Sequence, residues 1–318
     1  MGDAPGTKIA IVGAGAVGTT IAYAGLMRGL ARTVALYDID KAKVEAEALD
    51  LAQGIQFMPQ ADVMGSDDIE VCGGADVVVV TAGAKQKPGQ SRLDLAGATI
   101  GLMDKIIPPL IAVAPGAIFL LVSNPVDVVT FAAIKKSGIS PERMFGSGTV
   151  LDSSRLRFRI AQECGVAVGN VHAYIAGEHG DSEVALWSSA TIGGLPLTEW
   201  LGRDGAPIMT PERCEAIQRE VKESAYKIIA GKGATNYAIG VAAARIVEAV
   251  LFDQNRVLPV SGLIDYPGVG EVCLSLPAVV GRHGVSHQLD VRLSGDEAAA
   301  LLASATSIRE VAGRFGVA

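Results

Sequence analysis

Lys8–Val12 is a short apolar run that ends in Gly13-Ala14-Gly15-Ala16-Val17-Gly18 and passes directly into an Ala- and Leu-rich stretch reaching about Leu30. This feature constrains the fold more than any other in the chain. Three glycines at this spacing, set between a strand and a helix, each meet a different steric demand. Gly13 permits the tight turn, Gly15 lets an outside group approach the backbone, and Gly18 lets helix and strand pack closely. The helix start then aims its free N–H groups and the positive end of its dipole at a bound anion, which suits a pyrophosphate. A second strand, Thr33–Tyr37, ends at Asp38-Ile39-Asp40. Asp38 stands twenty residues beyond Gly18. A carboxylate there can accept both hydroxyls of a ribose and repels a 2′-phosphate, so the segment points to NAD rather than NADP. The bland alternative is a Gly-rich turn beside a solvated Asp, but it leaves the joint occurrence of strand, helix and acid unexplained.

The alternation continues. Ala42–Gln53 reads as helix, and Ala75–Thr81 contains Val77-Val78-Val79-Val80, a β-branched run expected of a strand buried on both faces. Ala96–Ala114 is helical, with Pro108-Pro109 predicting a kink or break, and Ala117–Val122 is another buried strand closed by Ser123-Asn124-Pro125. Strands alternating with helices predict a Rossmann-like doubly wound α/β parallel sheet over residues 1–148. The remainder, 149–318, reads as an α+β domain. It holds a helix at Val150–Glu163, extended segments at Val171–Ile175 and Val184–Ala190, and a helix opened by Thr210-Pro211-Glu212 towards Ile229. Another helix is expected from Asn236 to Leu251. Strand-like runs follow at Val257–Val260, Glu271–Leu276 and Val279–Val280, and a capping box at Ser294-Gly295-Asp296-Glu297 opens a last helix.

Apolar residues make up 49% of the 318 and charged residues 19%, enough for a substantial core. The net charge of −7 argues against nucleic acid and anionic membranes as partners. The N-terminus shows no basic segment followed by an apolar one, and no run approaches the ~18 apolar residues of a membrane span. The four cysteines, Cys72, Cys164, Cys214 and Cys273, are scattered, with no C-x-x-C pair. Neither a metal site nor a disulfide framework is indicated, and free thiols fit a reducing cytoplasm.

Three polar segments carry candidate chemistry. Thr81–Arg92 follows a buried strand, at the end of a parallel sheet where ligands bind. Leu151-Asp152-Ser153-Ser154-Arg155 places Asp152 and Arg155 on one helical face. Gly177-Glu178-His179-Gly180-Asp181 is turn-like and presents an imidazole. Reduction of a small keto acid needs a hydride donor, a proton donor and a clamp for the carboxylate. His179 suits proton transfer, Asp152 would orient its ring, Arg155 can grip a carboxylate with two parallel bonds, and Arg92 can stabilise charge on the carbonyl oxygen. Spacing alone leaves equal room for a packed histidine, a surface ion pair and a solvated arginine. The chain has only four histidines, His172, His179, His283 and His287, so rivals for the proton donor are few.

These segments resemble those of bacterial L-lactate dehydrogenases within the lactate/malate dehydrogenase family. The likeness runs from the Gly13 motif through Lys232-Gly233-Ala234-Thr235-Asn236 to the final helix. It implies reversible NADH-dependent reduction of pyruvate to L-lactate, with His179 as proton donor and acceptor and Asp152 as its partner. Arg155 would bind the carboxylate and Arg92 would ride a closing lid. Asn124 would contact substrate beside a cis Asn124–Pro125 peptide, and Thr235 would border the pocket. Val17, Lys43, Gly83, Ala84, Ser123, Asn124 and Ser147 would lie along NAD, together with Gly13, Gly15, Gly18 and Asp38. Relatives are commonly homotetramers of two-fold symmetry.

Malate dehydrogenase is the nearest competing activity. Its members carry Arg where this chain has Gln86, six residues before Arg92. An NAD-dependent glycosidase would need a metal site, a non-catalytic NAD sensor would have lost the His179, Asp152, Arg155 and Arg92 set, and a short-chain ketoreductase would need a Tyr-x-x-x-Lys pair near mid-chain. Arg157 lies two residues past Arg155, about 200° around a helix, and so faces away from the active-site side. His172 lies seven residues before His179. Taken alone, Arg157 and His172 read as a surface ion pair and a satisfied histidine. Lactate dehydrogenases activated by fructose 1,6-bisphosphate carry Arg and His at the matching positions, so the resemblance implies an allosteric anion site at Arg157 and His172.

Overall fold

The computed structural model describes residues 6–84 and 92–317, without the side chains of residues 92–94. Six strands of the first half, β1 (Lys8–Val12), β2 (Thr33–Tyr37), β3 (Asp62–Ser66), β4 (Val77–Val80), β5 (Ile118–Leu121) and β6 (Met144–Gly146), run parallel in the order β3-β2-β1-β4-β5-β6. Helices α1 (Ala16–Met27), α2 (Lys41–Gln53), α3 (Arg92–Val113) and α4 (Val126–Ser137) join them. The strand order reverses between β1 and β4, and the crevice outside the carboxyl ends of these two strands is where such a sheet binds ligands.

The second half contains α5 (Val150–Cys164), the short strands β7 (Val171–His172), β8 (Ile175–Ala176), β9 (Val184–Ala185), β10 (Thr191–Ile192) and β11 (Leu195–Pro196), and helices α6 (Pro211–Lys232) and α7 (Tyr237–Leu251). It ends with β12 (Arg256–Tyr266), β13 (Gly270–Gly281), β14 (Gly284–Gln288) and α8 (Gly295–Gly313). The main sheet does not stop at the middle of the chain. Ser261 of β12 pairs antiparallel with Gly146 of β6, and β13 and β14 extend one nine-stranded sheet. Val77–Val80 and Ile118–Leu121 are buried throughout, as central strands covered on both faces must be.

Several expectations need correction. Pro108 and Pro109 lie inside α3, so the expected alternative of a break does not occur, and Met103, Ile107 and Leu110 of this helix are buried in the core. Among the described residues, the same helix is also the one long apolar segment, where the sequence reading expected none. Leu95–Val113 is long and apolar enough, by composition, to cross a membrane. It packs Ala96, Ile100, Met103, Ile107 and Leu110 into the cluster shared with β4, β5 and α4, as a core helix does. The expected extended segment Val184–Ala190 is strand only over Val184–Ala185, since Trp187–Ser189 forms a 3-10 turn. The two runs Glu271–Leu276 and Val279–Val280 belong to one strand, β13, whose pairing with β14 shifts register between Val279 and Val280. The capping box at Ser294 and Glu297 and the Thr210 cap, which accepts from Arg213 N–H, form as the sequence predicts.

The second half also covers the first. Helix α7 packs on α1, where a Cβ on Gly240 would lie 2.4 Å from Thr20 Cγ2, so a glycine is needed for the approach. Ala243, Ala244 and Val247 of α7 join Ile21, Ala22 and Val34 in one buried cluster.

Candidate active site

The glycine loop behaves as steric reasoning requires. Gly13 has φ +105°, and a Cβ there would meet Thr81 Oγ1 at 2.8 Å and Ala82 N at 2.9 Å. A Cβ on Gly18 would fall 1.9 Å from Gly13 O. Gly15 caps α1 with open space beside it, no side chain caps the helix, and no acid lies in its first turn. The first N–H groups of the helix are therefore left for a bound anion. At the end of β2, Asp38 Oδ2 accepts from Ala14 N–H (2.7 Å) and Oδ1 from Asp40 N–H (3.1 Å). Each carboxylate oxygen keeps capacity for a further donor. An open glycine turn, a bare helix start and a pre-oriented carboxylate fit the pyrophosphate and ribose of a dinucleotide. Lys43 stands exposed on the first turn of α2, its N–H bonded to Asp40 Oδ1 at 3.2 Å.

A cavity of about 400 Å³ runs from this loop across the sheet ends, lined by Val17, Gly83, Ala84, Ser123, Asn124, Ser147, Arg155, His179 and Thr235 among others. Thus residues read from seven separate segments converge on one groove. Asn124–Pro125 is cis. Ser123 Oγ donates to Ala82 O at 2.5 Å, tying the turn after β5 to the one after β4. Gln86 lies outside the described residues, and of Arg92, the first residue of α3, only the backbone is described.

Beside that groove, the face of α5 carries Asp152 and Arg155. Thr149 Oγ1 donates to Ile175 O (2.6 Å), and Ile175 N–H donates to Ser153 Oγ (2.8 Å), which locks the start of α5 against β8. The His179 loop follows β8 and is held from three sides. Gly177 and Ser275 of β13 exchange backbone hydrogen bonds at 2.9 and 3.1 Å. Glu178 N–H donates to Ser304 Oγ of α8 (2.8 Å), and His179 N–H donates to Asp127 Oδ2 of α4 (2.7 Å). Gly177 has φ +90°, and a Cβ there would lie 2.7 Å from Ser304 Oγ.

This scaffold brings His179 Nδ1 to 2.6 Å from Asp152 Oδ2, while Arg155 Nη1 donates to Asp152 Oδ1 at 2.7 Å. The Asp152 side chain is 3% exposed and the His179 ring 26%. Burial of the ring works against the imidazolium, but the charge and hydrogen bond of Asp152, with Asp127 and Glu183 nearby, outweigh it and raise His179 to about 9. Burial works against ionisation of Asp152 as well, yet His179 and Arg155 hold its carboxyl below the usual range. Asp127, buried behind the loop, is pushed up to about 6 by that burial, against the hydrogen bonds it accepts.

Sequence reading missed Asp127, Glu183, Ser275 and Ser304. The first two carried a signal: each is an acid abutting an apolar run, Val128-Val129 and Val184-Ala185-Leu186. The two serines carried none. Arg157 faces away from the groove, as helical geometry predicts. Its Nε donates to Ala173 O at 2.8 Å and its guanidinium lies 4.7 Å from the Tyr174 ring centre. His172, the residue before Ala173, is exposed on β7.

A dinucleotide-binding sheet with a buried carboxylate–imidazole pair and an arginine at its carboxyl edge defines an NAD-dependent dehydrogenase. Residues 7–146 match the lactate/malate dehydrogenase NAD binding domain and residues 149–313 the lactate/malate dehydrogenase alpha/beta C-terminal domain, so the chain belongs to the lactate/malate dehydrogenase family. It is 58% identical over 311 residues to an L-lactate dehydrogenase of Bifidobacterium animalis subsp. lactis (strain AD011), covering 98% of this chain and 97% of that one. A Synechococcus sp. (strain JA-3-3Ab) L-lactate dehydrogenase is 46% identical, with 96% and 98% covered. Among solved structures, a lactate dehydrogenase from a Medee basin deep-sea metagenome library superposes with TM-score 0.93 at 38% identity, covering 98% of this chain and 99% of the other.

Proposed function

We propose that this chain reversibly reduces pyruvate to L-lactate with NADH, and that His179 is the proton donor and acceptor. The observation that carries this reading is the 2.6 Å contact between His179 Nδ1 and Asp152 beside a cavity that also holds Arg155 and Asn124. Bound NADH supplies the hydride. With Nδ1 committed to Asp152, Nε2 is the ring nitrogen that gives its proton to the forming alkoxide and takes it back in the reverse direction. Asp152 holds the ring in that orientation and stabilises the imidazolium. Arg155 spends one of five donors on Asp152 and keeps the others for the substrate carboxylate. Arg92 stabilises charge on the carbonyl oxygen, Asn124 and Thr235 border the substrate, and Gln86 selects it. Val17, Gly83, Ala84, Ser123 and Ser147 lie along the nicotinamide half of the cofactor, and Gly13, Gly15, Gly18, Asp38 and Lys43 along the rest. Residues 1–148 form the NAD-binding unit and 149–318 the substrate unit. Oxidation of NADH with pyruvate and oxaloacetate side by side tests the assignment, and a lead for oxaloacetate would overturn it.

Cofactor choice follows from Asp38. NADH should be strongly preferred, because the 2′-phosphate of NADPH would meet a carboxylate already fixed by two backbone N–H groups. Asp38→Ser should narrow the gap in kcat/KM between the two cofactors. Equal values for the unmutated enzyme would show that Asp38 does not discriminate.

The same reading extends to regulation and assembly. Arg157 Nε donates to the carbonyl of Ala173, the residue after exposed His172, which supports a patch shared by the two on the side of α5 away from the cavity. In a homotetramer a two-fold axis would double them, and repulsion would loosen the interface until a bisphosphate neutralised it. Exposed Tyr23 and Met27 on α1 and Tyr237 and Val241 on the adjoining α7 offer apolar surface for subunit contact. Since α5 also carries Asp152 and Arg155, a shift of that helix repositions the site. Fructose 1,6-bisphosphate is expected to lower the pyruvate requirement by about 5- to 150-fold, a coupling of ~1–3 kcal/mol. Pyruvate saturation curves with and without millimolar effector, repeated on Arg157→Gln, check this, and superimposable native curves would remove the effector role. The four free cysteines fit a cytoplasmic enzyme.

A further inference from the structure

The reaction as described leaves Glu183 without a role. It sits between the His179 loop and β9, is 4% exposed, and its Oε1 is buried with no hydrogen-bond partner among the described residues. It lines the same cavity as Asp152, His179 and Lys222. The charged groups that line this cavity with it are Asp152 and Arg155 on α5, Glu178, His179 and Asp181 on the loop, Lys222 on α6 and Arg314 just past α8, while Asp127 on α4 faces His179. A buried carboxylate with an unpaired oxygen beside a second carboxylate is costly, and keeping its proton removes that penalty. Burial and the Asp152 charge push the Glu183 carboxyl up to about 8, against His179, Lys222 and Arg155.

We propose that Glu183 is a positioning residue for proton transfer: a buried carboxylic acid that leaves His179 its single Asp152 partner while it keeps its proton, and that holds the imidazolium in place once it loses it. This rests on the reading of His179 as proton donor and acceptor. Ionised Glu183 adds a further negative charge near the ring, so it favours keto-acid reduction and holds back hydroxy-acid oxidation, which needs neutral imidazole. The pair therefore behaves as coupled sites, and the alkaline behaviour of the enzyme belongs to both.

The test measures kcat/KM for lactate oxidation against pH in the native enzyme, Glu183→Gln and Glu183→Met. Both variants should move the rising limb to lower pH by about one unit, since neither can become an anion. Thermal unfolding over the same range gives a second readout. The Glu183 carboxyl stands above its ordinary value of 4.5 in the folded chain, so the folded state binds the extra proton between 4.5 and about 8 and loses stability as pH rises through that window. The Tm of Glu183→Gln minus that of the native enzyme should grow from pH 5 to pH 8. A pH profile that does not move in either variant overturns the proposal, even if the Tm gap grows, because the carboxyl then titrates without reaching His179. His179→Asn separates the two readings. If it keeps turnover, the role of His179 fails and this one with it. If it loses turnover while Glu183→Gln leaves the profile unchanged, the role of Glu183 alone fails.

Discussion

His179→Asn should lower kcat in both directions by about 10²- to 10⁴-fold, the usual contribution of a positioned acid or base, while leaving NADH binding nearly intact. Asparagine preserves a polar side chain of similar reach but has no proton to give. The backbone N–H of residue 179 would still bond to Asp127, and the bonds from Gly177 and Glu178 to Ser275 and Ser304 would be untouched, so the loop keeps its anchors. The native enzyme should also show opposed pH limbs. Pyruvate reduction consumes imidazolium, so its kcat/KM falls as pH rises through about 9; lactate oxidation consumes neutral imidazole, so its kcat/KM falls as pH drops below the same value. Rapid-mixing kinetics in both directions, with NADH fluorescence titration as the binding control, measure all of this. A variant with near-native turnover would move the proton donor elsewhere.

The second large effect is expected at position 86. Gln is neutral and leaves room for the methyl group of pyruvate. The second carboxylate of oxaloacetate would meet no cation there, and an unpaired, desolvated carboxylate costs several kcal/mol. Each ~1.4 kcal/mol is tenfold in rate, so pyruvate should lead oxaloacetate by about 10²-fold or more in kcat/KM. Gln86→Arg supplies the missing partner and should shift the ratio towards oxaloacetate by a comparable factor, with both substrates assayed on one preparation. An unchanged ratio would mean that substrate choice is made elsewhere in the pocket.

The parts of this protein legible in sequence are those where a local rule and the tertiary fold agree. Val77–Val80 could only be a strand buried on both faces, and the Gly13–Gly18 spacing with Asp38 announced its crossover unit. Thr210 and Ser294 announced their helix starts through capping chemistry. Other features depend on partners distant in sequence. β3 and β6 are short and gain their status from neighbours: Asp62–Ser66 is half exposed, and Met144–Gly146 has three residues. Helix α4 follows a cis proline and carries Asp127 in an apolar run, an arrangement that makes sense only once the His179 loop is seen to supply a donor. The pairing of His179 with Asp152 was readable as chemistry, whereas the hold of Ser275 and Ser304 on the loop was not, since each serine comes from an element about a hundred residues further along the chain.

The continuous nine-stranded sheet bears on how such an enzyme can be rebuilt from pieces. The two family domains meet at residues 146–149, which invites grafting the catalytic half of one relative onto the cofactor half of another. The seam is not a linker but a strand edge: Gly146 pairs with Ser261, and a Cβ on Gly146 would stand 2.8 Å from Val126 Cγ2 and 3.1 Å from Ser261 Cβ. A chimera thus inherits a packing contract at three separated positions, 126, 146 and 261, with a fourth where Gly240 lies on Thr20. The first half expressed alone would leave β6 as a bare edge open to pairing between chains, with the apolar flank under α7 uncovered. The halves are modular as units of sequence, yet in the fold each covers a surface of the other.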